Sequence, residues 1–97
     1  MRKLQQTIHQ VLDNLTSATY SAPVAGLLAP WVAYLESIAP PATETERDKL
    51  VVGLQDCVTA LYDYAVMEDD NHHHVASAAI LRGVCWELSA AIYAFDR

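Results

Sequence analysis

Glycine and proline are scarce, at three and four residues in a chain of 97. Sheet-rich folds need turn residues between their strands, so this shortage excludes most of them, and it excludes Gly/Pro-rich linkers as well. Charge is also thin, at 19% of residues against 53% hydrophobic, which rules out intrinsic disorder. Positive charge is the scarcer sign: six Lys and Arg stand against twelve Asp and Glu, for a net charge of −6. Duplex DNA and RNA binders carry a basic stripe, because neutralising phosphates supplies most of their affinity. No such stripe exists here. Arg2 and Lys3 sit at the N-terminus, Arg47 and Lys49 are interleaved with acids, and Arg82 and Arg97 stand alone. Direct nucleic-acid binding is therefore not expected, whereas a basic protein partner suits the charge. Cysteine is limited to Cys57 and Cys85, too few for a disulfide framework and without metal-motif spacing.

Long apolar runs are missing too. No apolar segment follows Arg2 and Lys3, as a secretory signal would require. The uncharged stretch 14–35 contains Thr16, Ser17, Thr19, Ser21, Pro23, Gly26 and Pro30, so it does not read as a sustained membrane-crossing helix. A cytoplasmic protein with no membrane contact is expected, organised as a single helical domain over residues 1–97. A domain this small often covers its remaining apolar surface by assembly.

What is present is helical periodicity. Leu4, Ile8, Val11, Leu12 and Leu15 recur at helical spacing over about 3–16. A second segment starts with Ser21 as N-cap and Pro23 in its first turn, and its apolar stripe is Trp31, Tyr34, Leu35 and Ile38. Pro30 cannot donate the helical bond, so a kink or two short pieces are expected there. Pro40 and Pro41 end the segment. Thr43 and Glu46 form a capping box for a third helix over about 43–67. Asp70 or Asn71 caps a fourth, over about 71–95.

The last two segments share a seam. Leu50, Leu54, Cys57, Leu61 and Tyr64 alternate four and three apart, and Ala78, Leu81, Cys85, Leu88 and Ile92 do the same in the opposite sense. Reversal between them pairs Leu50 with Ile92, Leu54 with Leu88, Cys57 with Cys85, Leu61 with Leu81, and Tyr64 with Ala78. The expected fold is all-α: a small four-helix bundle built on a long antiparallel αα-hairpin, with two shorter N-terminal helices. The fourth segment has further apolar lines, one through Ala76, Ala79, Gly83, Trp86, Ala90 and Tyr93, another through Ile80, Val84, Ala91 and Ala94. A helix apolar on most sides is central or covered by another chain.

Two polar features bear on chemistry. The polar segment 68–74 runs Glu68, Asp69, Asp70, Asn71, His72, His73 and His74. Imidazoles beside carboxylates can bind zinc or nickel, so metal or small-ligand binding there is the alternative function, with Asp69, Asp70 and the three histidines as ligands. Neighbouring helical residues point about 100° apart, so three adjacent histidines do not converge as an i, i+4 pair would. The plainer role is a polar loop that caps the fourth helix. Glu44, Asp48, Asp56, Asp63 and Asp70 share one face of the third helix. That face could mimic phosphates and fill the basic groove of a nucleic-acid-binding protein, as in some phage inhibitors; its plainer role is solubility. No Gly-rich phosphate loop, His-Glu-x-x-His or Glu-x-x-His pair is found, and neither cysteine has a base in its seam, so no enzyme activity is expected. The function expected is non-catalytic: a protein-binding regulator, adaptor or inhibitor, self-associating as a homodimer. Its interface residues would be Trp31, Gly83, Trp86 and Tyr93, with no cofactor.

Overall fold

A computed structural model describes residues 1–70 and 74–96. The described residues form four α-helices and no strand: α1 (Arg2–Thr16), α2 (Ala22–Glu36), α3 (Glu44–Asp69) and α4 (Val75–Asp96). The 26 residues of α3 rise about 39 Å at 1.5 Å each, which accounts for a molecule 44 Å long and about 20 Å across. α3 and α4 make the most extensive contact, α1 packs on α4, α2 on α3, and α1 on α2. Arg47, at the start of α3, donates to the Phe95 carbonyl and lies 4.1 Å over the Phe95 ring, near the end of α4. Near the other end of α3, Asp69 pairs with Arg82.

Most residues of the expected seam are buried. Leu54, Cys57 and Leu61 on α3 and Ala78, Leu81, Cys85, Leu88 and Ile92 on α4 are all buried, and Leu50 and Tyr64 are half-buried. α1 buries Leu4, Ile8, Val11 and Leu15 against them. On α2 the core residues are Val24, Leu28 and Leu35, while Trp31 and Tyr34 are half-buried. The expected stripe overlooked Val24 and Leu28, because α2 is apolar nearly all round and its periodicity is faint.

Three expectations need correction. Of the two forms expected at Pro30, the two short pieces do not occur: α2 is one helical element through it. Pro30 and Gly26 are both exposed, so water can reach the Gly26 carbonyl that Pro30 leaves without a donor. Asp70 is the C-cap of α3 and not the start of α4, which begins at Val75; Asn71 lies outside the described residues. Thr43 caps α3 by accepting from the Glu46 amide at 3.1 Å, but the Glu46 carboxylate accepts from Ala42 N–H at 2.7 Å and not from Thr43.

Gly53 lets α2 approach α3. A Cβ at this position would lie 2.1 Å from the Tyr34 hydroxyl oxygen and 3.0 Å from the ring carbon that bears it. Gly53→Ala is therefore expected to lose about 1–3 kcal/mol by overpacking, despite a gain of about 1 kcal/mol in helix propensity. In a Tyr34→Phe background the closest clash disappears. The same substitution should there cost under about 0.5 kcal/mol, measured by urea unfolding.

Candidate functional site

The polar end of α3 holds a buried carboxylate. Glu68 is 0% exposed. It accepts from the Ser21 amide at 3.1 Å, from the Ser21 hydroxyl, and from the Ser77 hydroxyl at 2.9 Å, and His74 Nδ1 lies 3.6 Å away. Ser21 is the N-cap of α2, yet its side chain serves Glu68 and not its own helix. The Ser77 hydroxyl is also 2.9 Å from the His74 carbonyl, but its one proton can serve only one acceptor at a time. Burial would raise the Glu68 pKa; the hydrogen bonds from Ser21 and Ser77, with His74 nearby, outweigh it and hold the carboxyl below its ordinary value. The charge is felt at Tyr20, whose phenol is pushed up to about 12 by burial and by Glu68. Among the described residues no buried side-chain nitrogen or oxygen is left without a partner.

Serine, histidine and glutamate together are the residue types of a hydrolytic triad, but the connectivity here differs. In a triad the imidazole stands between hydroxyl and carboxylate. Here both hydroxyls donate directly to the carboxylate, and Ser77 is itself buried. The cluster ties the segment before α2 to α3 and α4.

Sequence reading placed Glu68 in a polar segment and did not assign it to the core. A signal was present: Leu54, Cys57, Leu61, Ala65 and Glu68 run three, four, four and three apart, so Glu68 continues the buried line. Of the expected metal ligands, His72 and His73 lie outside the described residues. His74 faces Glu68, Asp69 pairs with Arg82, and Asp70 is exposed. Among the described residues no group of three His, Cys, Asp or Glu side chains is gathered to hold a metal. Cys57 and Cys85 are free and buried; burial, with Cys85 beside it, pushes the Cys57 thiol up to about 12. Such a thiol is a poor nucleophile at neutral pH.

The other face of α3 and α4 is open. Ala76, Ala79, Gly83, Trp86, Ala90 and Tyr93 are all exposed, Trp86 at 80% and Tyr93 at 67%. Across from them on α3, Val52, Gln55, Thr59, Tyr62 and Val66 form a second exposed line at the same spacing, with Tyr62 at 55%. Between the lines runs a groove of about 510 Å³ walled by Val58, Tyr62, Asp63, Arg82, Cys85 and Trp86. A second hollow of about 370 Å³ shares Val58, Thr59 and Ser89 with it and carries the groove on to Tyr93. Trp31 lies on α2 and is half-buried: its indole donates to the Tyr64 hydroxyl at 3.2 Å and stands edge-on to Tyr34. Glu44, Asp48, Asp56, Asp63 and Asp70 are all exposed, and Asp63 also edges the groove.

By length and hydropathy, α3 and α4 both qualify as helices able to cross a membrane, although buried core helices meet the same test. No family model, curated protein or solved structure matches the chain.

Proposed function

We propose that this chain is a small non-catalytic protein-binding domain, acting as a regulator, adaptor or inhibitor through the outer face of α3 and α4. The observation that carries this reading is Trp86, 80% exposed on the rim of an apolar groove. A large aromatic side chain held in water is costly for a monomer, and tryptophan beside an apolar hollow is a frequent energetic centre of protein interfaces. The frame is a four-helix bundle on an antiparallel α3–α4 hairpin, a reading supported by the Arg47–Phe95 and Asp69–Arg82 contacts at its opposite ends. The location proposed is cytoplasmic. Exposed Asp56 and Asp63 along α3, and buried charge at Glu68, suit a helix pair in water better than one in lipid.

Affinity capture from the native host on immobilised chain tests the reading. Wild type is expected to retain a protein, a second copy of the chain included, that Trp86→Ala loses and that the triple variant Glu44→Gln, Asp48→Asn, Asp56→Asn keeps. Loss by the acidic triple variant alone would replace this reading with phosphate mimicry of a nucleic-acid partner. Retention of nothing by wild type would overturn it.

A further inference from the structure

We infer that the occupant of the α3–α4 face is a second copy of this chain, docked two-fold with α4 antiparallel to its mate and crossing at Trp86. The inference rests on the protein-binding reading and names its partner. A closed two-fold interface needs a patch complementary to itself, with knob and hole on one surface. This face has both: Trp86 stands out from it, and the adjoining hollow of about 510 Å³ has room for an indole. The residue order along α4 is self-complementary about the same point. An antiparallel crossing at Trp86 sets Tyr93, seven residues on, over the partner's Ala79, seven residues back, and Gly83 against the partner's Ser89 with Ala90 next to it. Large thus meets small, and small meets small. A Cβ added at Gly83 would touch nothing within 4 Å, so the chain itself leaves that approach clear. With the backbones close there, each indole turns off the crossing point into the other protomer's hollow.

Area and charge bear on the contact. At 55–80% exposure, the rings of Tyr62, Trp86 and Tyr93 offer on the order of 300–500 Å² per protomer. A stable interface takes about 800 Å² per partner, so the groove walls and the exposed Val52, Val66 and Ala79 positions have to supply the remainder. The chain carries −6, yet the charges lining the larger groove are Asp63 and Arg82, one of each sign. At the larger groove itself the two signs balance, while exposed Glu87 beside Trp86 and Asp96 at the second hollow add negative charge to the face.

Purified full-length chain in sedimentation equilibrium, from sub-micromolar to several hundred micromolar, provides the test. Wild type is expected to pass from monomer to dimer and stop there. Trp86→Ala should weaken the dimer at least about 30-fold, the equivalent of about 2 kcal/mol, with unchanged helical circular dichroism because Trp86 is outside the core. Mixing Gly83→Cys with Ala90→Cys chains under a mild copper oxidant should give a cross-linked dimer more readily than either variant alone. A wild type that stays monomeric, assembles beyond the dimer, or dimerises equally well without Trp86 overturns the second copy as occupant. If capture from the host still yields another protein through Trp86, the protein-binding reading survives that failure; if it yields nothing, both fall.

Discussion

Leu54→Ala and Leu88→Ala are each expected to lower the unfolding free energy by about 2–5 kcal/mol. Both side chains are fully buried, on the two helices that make the largest contact in the molecule. Truncation removes the transfer free energy of three carbons and leaves a cavity that rigid neighbours cannot close. Each has buried apolar residues of its own helix on both sides, Val51 and Cys57 around Leu54 and Cys85 and Ile92 around Leu88. Little can therefore collapse inward. A domain of this size is stable by only about 5–15 kcal/mol, so one substitution removes a large share of that. Urea unfolding followed by circular dichroism measures it, and a loss below about 0.5 kcal/mol at both positions would remove them from the core.

Glu68→Ala is the second large effect, expected at about 2–4 kcal/mol. The Ser21 amide, the Ser21 hydroxyl and the Ser77 hydroxyl would lose their common acceptor, and Ser77 is buried where water does not replace it. Glu68→Gln keeps one carbonyl oxygen in place and should lose less, about 1–2 kcal/mol. Acid dependence separates the charge from the shape. The folded chain holds the Glu68 pKa below its ordinary value of 4.5, so the unfolded chain binds the proton more readily. The stability from this group is thus full above pH 4.5 and is lost as pH falls from there through the lower folded value. Glu68→Gln should flatten that acid limb of the stability curve while leaving the neutral limb parallel to wild type. If the variant keeps the wild-type acid slope and its stability, Glu68 does not hold the three elements together.

Much of this architecture is legible in the residues before any coordinates. The alternation of Leu54, Cys57 and Leu61 with Leu81, Cys85 and Leu88 is a direct record of which faces avoid water, because apolar burial is the dominant local signal in a helix. Thr43, with Glu46 three residues later, announces the start of α3 for an equally local reason, the unmet amides of a helix end. α2 is less legible. Alanine, proline and valine on most of its sides leave little contrast from which to tell Val24 and Leu28 from their neighbours.

The sequence by itself determined the helical class, the buried lines of α3 and α4 and the exposed line through Gly83, Trp86 and Tyr93, all properties of spacing within one helix. Tertiary structure alone decided that Glu68 is buried and charged. Its partners Ser21 and Ser77 come from different elements, and a carboxylate is tolerated in a core only where donors from several directions meet. The same is true of Gly53 beneath Tyr34 and of Trp31 bonded to Tyr64. Each depends on which helix lies opposite, and periodicity along a single helix carries no information about that.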